Sequence, residues 1–178
     1  MSFPLQLFVG QSEPTLKKFK PAEDDISKAF IRKPKHGLWT SKYRPETNDS
    51  PWIEWCVANE FGDVENTPWW ILEPKDDVKI LEISDWKSFD EIIAKYGYNW
   101  MENISKDKFL SQINIGIKFE SIMKDGYDAV HLTENAAWKL HNGRKESPFL
   151  NLNGWDCEST IWLKYSFKSV KELINAYN

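Results

Sequence analysis

Apolar residues along the chain fall in short runs cut by glycine, proline and clusters of charge, and the period of each run predicts an element. Leu5 to Val9 is a short apolar run ended by Gly10, a strand. Gly37-Leu38-Trp39-Thr40-Ser41 reads as a strand entered through a glycine. Ser50-Pro51 is a helix start, with Ser as N-cap and Pro at the first helical position. The helix is expected from Trp52 to Phe61, where Gly62 stops it. Trp69–Leu72 and Val78–Ile83 are strand candidates, and the turn-like Pro74-Lys75-Asp76-Asp77 between them predicts a hairpin. Ser84 or Asp85 caps a helix over Ser88–Tyr96, whose Phe89, Ile92, Ile93 and Tyr96 share one face.

The second half is read the same way. Lys106 to Met123 carries a helical period, interrupted around Asn114–Gly116. Gly126-Tyr127-Asp128 is a turn feeding a strand through Ala129-Val130-His131-Leu132. Glu134 to His141 is a short helix or turn, and Asn142 to Asn153 is a polar loop. Ser159-Thr160-Ile161-Trp162-Leu163 is a strand rich in β-branched and aromatic residues. Ser169 to Tyr177 is expected to close the chain as a helix capped by Ser166 or Ser169, and a short helix is expected at Asp24–Phe30 inside a mixed-charge loop. Short strands that do not alternate strictly with helices favour an α+β fold over a doubly wound parallel sheet. The length, 178 residues, is that of one domain spanning 1–178, with chain enough for a real core.

Composition narrows the reading. A net charge of -4 supplies no global attraction to a phosphate backbone. Two cysteines, Cys56 and Cys157, are too few for a disulfide framework and have no metal-ligand spacing, so both are expected to be reduced in a cytoplasmic protein. The N-terminus lacks the basic and long apolar segments of a signal peptide, and no stretch approaches the ~20 apolar residues of a membrane span. His36, His131 and His141 share no ligand spacing, so no metal is expected. Ten tryptophans are many for this length, and each indole N–H wants a partner, so an aromatic-lined cleft is expected beside the core.

Candidate chemistry centres on Glu158, a lone carboxylate at the head of a strand inside Gly154-Trp155-Asp156-Cys157-Glu158. Burying such a group costs free energy unless the site uses it. An edge-strand carboxylate facing water is an equally simple reading. Trp39 on a strand and Trp55 on the next helix could sandwich a flat heterocycle, although taken alone a strand-to-helix core contact is the plainer reading. Asp128 reads as a polar cap on a buried strand, and His131 as a satisfied surface or core histidine. No GxGxxG, Walker A or GxSxG pattern occurs.

Taken in order, these motifs resemble those of the ADP-ribosyltransferases, in particular the branch of diphtheria toxin and the poly(ADP-ribose) polymerases. Gly37-Leu38-Trp39-Thr40-Ser41 is similar to the second-strand motif, with Trp39 at the tyrosine that stacks on nicotinamide. Ser50-Pro51-Trp52-Ile53-Glu54-Trp55 is similar to the following helix, with Trp55 as the second ring. Tyr127-Asp128-Ala129-Val130 resembles the stretch before the last strand, and Glu158-Ser159-Thr160-Ile161-Trp162 the strand of the catalytic glutamate. The first strand departs from the family: Val9 stands where a histidine belongs, before Gly10.

The resemblance implies a split sheet of short, mostly antiparallel strands around an NAD cleft, with helices outside. It implies that NAD is the co-substrate, that Glu158 is the catalytic residue, and that ADP-ribose passes to a protein or nucleic-acid acceptor. An NAD glycohydrolase and an inactive partner-binding module are the alternatives on the same fold. The cofactor contacts it implies are the backbone of Gly10, then Gln11 or His36 in place of the missing histidine, with Gly37, Trp39, Ser41 and Trp55. Lys33, Lys35 or Arg32 would reach the diphosphate.

Overall fold

A computed structural model describes residues 2–25, 32–99, 115–141, 152 and 154–174. It is a mixed α+β fold with a seven-stranded sheet and four helices among those residues. The strands are β1 (Gln6–Val9), β2 (Leu38–Lys42), β3 (Trp69–Pro74), β4 (Ile80–Ile83), β5 (Gly97–Asn99), β6 (Ile115–Ile117), β7 (Ala129–Leu132), β8 (Ser159–Trp162) and β9 (Phe167–Leu173). The helices are α1 (Pro51–Ala58), α2 (Trp86–Tyr96), α3 (Phe119–Lys124) and α4 (Glu134–His141). The large sheet runs β4-β7-β8-β2-β1-β3-β9, while β5 and β6 form a separate pair. Within the large sheet only β4 and β7 are parallel.

Local chemistry explains the caps. Ser50 Oγ accepts from Ile53 N at 3.3 Å, so Pro51 opens α1 as expected. Asp85 and Ser88 form a reciprocal capping box at the start of α2. Gly37 enters β2 at φ +94, and a Cβ there would lie 2.7 Å from Ile161 Cδ1 and 2.8 Å from Trp162 O. Only glycine fits both the backbone and the space. Helix α1 ends at Ala58, short of Phe61, because Asn59 caps it and Glu60 turns to φ 50.

Three expectations are corrected. β3 and β4 do not form a hairpin: β3 pairs with β1 and β9, and β4 pairs with β7 at the opposite edge. The turn between them is real, but long-range partners decide the pairing. Residues 115–117, at the expected interruption of a long helix, form a strand, β6, and pair with β5 in a register that sets Gly116 against Tyr98. Phe167–Leu173 is a strand where a C-terminal helix was expected, because β3 presents an edge over its whole length and takes it up. Ser166, the expected cap, instead donates to Asp128 Oδ1 at 2.8 Å. The remaining parts of the long helix, the helix at 24–30 and the loop at 142–153 lie mostly outside the described residues.

Strand alternation sorts the core onto two faces. One face carries Val130, Leu132, Ile161 and Leu163 beneath α2, α3 and α4, and Leu7 and Trp69 beneath α1. The other face carries Ala129, Trp162, Leu72 and Phe167, covered by Phe3, Phe19 and Tyr165. Trp162 is fully buried, its indole N–H donating to Thr40 Oγ1 at 2.9 Å.

Candidate functional site

The site arises from how β2 is shared. Its first half, Leu38 to Thr40, pairs with β8, while its second half pairs with β1 only at Gln6–Lys42 and Leu7–Ser41. β1 meanwhile stays on β3 out to Val9–Trp69. Beyond Leu7 and Ser41 the two central strands therefore diverge. The seven strands thus form one hydrogen-bonded sheet whose central ladder opens between β1 and β2.

A cleft of about 170 Å³ opens at the split, lined by Leu7, Phe8, Val9, Lys33, Trp39, Thr40, Trp52 and the segment Gly154 to Cys157 with Ser159. Among the described residues, three tryptophans line it. Trp39 meets Trp155 edge-to-face at 4.7 Å, and Trp52 comes from the first turn of α1. Trp155 is held by its indole N–H, which donates to Arg32 O at 3.1 Å.

Glu158 is buried at the root of the split, with 3% exposure. Its Oε2 accepts from Ser41 Oγ at 2.6 Å and from Lys42 N at 2.8 Å. Ser41 Oγ accepts in turn from Trp52 N at 3.2 Å, so the amide end of α1 is aimed at the carboxylate through one hydroxyl. Arg44 helps hold α1 there, with Nη1 2.7 Å from Glu54 and Nη2 3.1 Å from Glu134 of α4. Glu158 Oε1 makes no hydrogen bond and lies 3.4 Å from His131 Nδ1. His131 Nδ1 is also 2.9 Å from Thr160 Oγ1.

Burial governs the charge state of this pair. It pushes the Glu158 carboxyl above its ordinary pKa, against the hydrogen bonds from Ser41 and Lys42. It pushes the His131 imidazole down to about 4, with the charge of Lys42 acting in the same direction. At neutral pH the histidine is therefore neutral, and its contact with Glu158 is not an ion pair.

The structure brings together only part of the expected set. Ser41 holds Glu158, and Trp39 lines the cleft, which neither Ser41 nor Glu158 does. Trp55 does not line the cleft: it stacks behind Trp52 at 5.3 Å and 12°, so Trp52 is the ring that α1 supplies. Gly10 has its backbone committed, its N–H donating to Pro68 O at 3.0 Å and its C=O accepting from Trp70 Nε1 at 2.9 Å. A ligand amide would have to displace both. Gln11 is exposed and lines neither this cleft nor its neighbour. His36 and Gly37 line a separate cavity beside Lys18, Lys20 and Lys35, and both His36 and Lys35 lie near Glu23. Of the basic residues, Lys33 reaches the cleft, whereas Arg32 is buried and Lys35 is not at the cleft.

Asp128 caps its strand, accepting from Lys79 N and Ser166 Oγ, both at 2.8 Å. Sequence reasoning missed Trp52, Trp155 and His131 as site residues. Trp155 sits in the same short motif as Glu158, which was a usable signal. Trp52 and Trp55, three residues apart, were indistinguishable without the helix's rotation. His131 reaches Glu158 because β7 and β8 set it opposite Thr160.

Among the described residues, no group of histidine, cysteine and carboxylate side chains could hold a metal ion, and no helix is long and apolar enough to cross a membrane. Cys56 and Cys157 are free thiols. No family model matches the chain, and neither the curated proteins nor the solved structures hold a significant match to it.

Proposed function

We propose that this chain is an NAD-dependent ADP-ribosyltransferase that releases nicotinamide and passes ADP-ribose to a protein or nucleic-acid acceptor in the cytoplasm. The observation that carries the reading is the Glu158 carboxylate, 3% exposed and fixed by Ser41 and Lys42 N, at the point where β1 leaves β2 beside a tryptophan-lined cleft. Breaking an N-glycosidic bond builds positive charge on the ribose. A fixed carboxylate near that carbon stabilises the charge, and its preset hydrogen bonds mean that it need not reorganise. Ser41 holds the carboxylate from one side, and the indoles of Trp39 and Trp52 are placed to hold a planar leaving group. At about 170 Å³ the cleft takes one planar ring, since pockets for larger ligands begin near ~300 Å³. The remainder of a dinucleotide would lie outside it.

Incubation with NAD tests this. The expected result is nicotinamide release, with a loss of about 10²–10³ in rate for Glu158→Gln at unchanged circular dichroism. Label transfer to an acceptor identifies the transferase, and release without transfer identifies a glycohydrolase. Two observations favour a second reading, a binding module without turnover: Glu158 itself does not line the cleft, and Gly10 has no free amide to offer. Ligand binding with no nicotinamide release would establish that reading.

A further inference from the structure

Between Arg44 and Lys75 the chain holds seven carboxylates and no lysine, arginine or histidine. The whole chain has a net charge of -4, so the remainder is net positive and the acid is gathered into this one stretch. Helix α1 and the turn after it lie within it. Trp52 and Trp55 stack there at 5.3 Å and 12°, and Phe61 meets them at a steep angle, 5.8 and 5.3 Å away. Phe61 is 53% exposed, and the two indoles are half-buried. A Schellman end fixes Phe61: its N–H donates to Cys56 O at 2.9 Å and Glu60 N donates to Val57 O at 3.4 Å, with Glu60 at φ 50. That motif explains a contact between Phe61 and Trp55. It does not explain three rings left partly open to water in so acidic a stretch. Glu60 and Asp63 flank Phe61 on the exposed turn, and Glu54 is exposed on α1, 2.7 Å from Arg44.

We infer that this face of α1 is a docking surface for an arginine-rich segment of a partner protein. A guanidinium is planar and weakly hydrated, so it stacks on an aromatic ring while its fork of donors reaches a neighbouring carboxylate. Rings of Trp52, Trp55 and Phe61 beside Glu60 and Asp63 offer both contacts at once. A lysine ammonium would gain the charge without the stacking and would lose more hydration. The chain supplies its own precedent for a cation on such a ring: Lys33 Nζ lies 5.1 Å from the centroid of Trp39, in the cleft that Trp52 also lines. Charge argues against the other occupants. A nucleic acid or an anionic lipid surface would be repelled by the acidic stretch. A second copy in a two-fold contact would set that stretch against itself. Trp55 and Phe61 do not line the cleft, so the surface adjoins it without being part of it. The inference goes beyond the reading above and needs neither NAD nor Glu158.

The test uses three short labelled peptides in which serine alternates with arginine, lysine or glutamate. Binding to the full chain is read by fluorescence anisotropy, and its place by the indole N–H shifts of Trp52 and Trp55 in 1H–15N spectra. The arginine peptide should bind about tenfold more tightly than the lysine peptide and the glutamate peptide not at all. Added salt should weaken the binding. Phe61→Ala, and Glu60→Gln combined with Asp63→Asn, should each weaken it severalfold. Glu91→Gln removes an exposed charge on α2, away from the surface, and should leave it within about twofold. All four positions are exposed, so these variants should fold, and circular dichroism checks that they do. Equal binding of the lysine and arginine peptides would overturn the inference. So would unchanged binding in the Phe61 and Glu60/Asp63 variants, or shifts confined to other indoles. Shifts of Trp52 and Trp55 produced instead by duplex DNA, or by raising the protein concentration, would assign the surface to a nucleic acid or to a second copy and overturn it as well. Nicotinamide release from NAD, measured separately, reports on turnover whichever way the docking result falls.

Discussion

Replacing His131 by asparagine should remove an acid-sensitive component of stability. His131 is buried, and its pKa is lowered from an ordinary 6.5 to about 4. The unfolded chain therefore takes up a proton near pH 6.5 that the folded chain refuses until about pH 4. The stability this represents is complete above the unfolded value and is lost as pH falls towards the folded one. For that pair of values the loss is about 2.5 kcal/mol by pH 4.5 and about 3 kcal/mol by pH 4. Asparagine can keep a polar atom near the position of Nδ1, 2.9 Å from Thr160 Oγ1, and does not titrate.

Urea denaturation at a series of pH values reads the effect. Between pH 7 and pH 4.5 the midpoint of the native protein should fall relative to that of His131→Asn by about 1 M, taking the usual urea slope for a domain of this size. The comparison cancels the titrating groups that do not touch His131. Glu158 does touch it, and its raised pKa acts oppositely: its folded form binds a proton more readily, so acidification through its range favours the fold. Parallel midpoint curves for the two proteins would show that the imidazole is not held neutral by burial, and would refute the reasoning.

The other predictions follow from the same geometry. Glu158→Gln should raise the denaturation midpoint at pH 7, because stability tied to a raised carboxyl pKa is present at low pH and lost as pH rises through the folded value; a lower midpoint at pH 7 argues that the carboxylate's hydrogen bonds outweigh its burial cost. Trp52→Ala should reduce quenching of tryptophan fluorescence by NAD more than Trp55→Ala does, since Trp52 lines the cleft beside Trp39 whereas Trp55 supports it from behind; equal loss in both would place the ligand elsewhere on α1. Trp162→Ala should cost about 3–5 kcal/mol in chemical denaturation, as it empties a fully buried indole site and orphans the contact to Thr40. Gly37→Ala should lower the melting temperature and broaden the Ile161 methyl signals, because the added methyl meets both a backbone oxygen and a side chain.

Much of the local structure was legible in the chain. Ser50-Pro51 opens α1, Asp85 caps α2, Glu134 to His141 is α4, and Gly37 enters β2, because each depends on residues within a few positions of one another. The buried carboxylate at Glu158 was legible for the same reason, as an acid set against a run of strand formers. Pairing was not. β9 was taken for a helix and 115–117 for an irregular break in one rather than a strand, since short apolar runs satisfy either period until a partner edge is supplied. The cleft was least accessible of all. It exists because β2 divides its hydrogen bonds between β8 and β1, and no local pattern encodes where one ladder stops and the other begins. The rotation of α1 selects Trp52 over Trp55, and the neighbouring β7–β8 register brings His131 against Glu158. Propensity and capping are properties of neighbours along the chain, whereas register and strand divergence belong to contacts across it, which only the assembled sheet supplies.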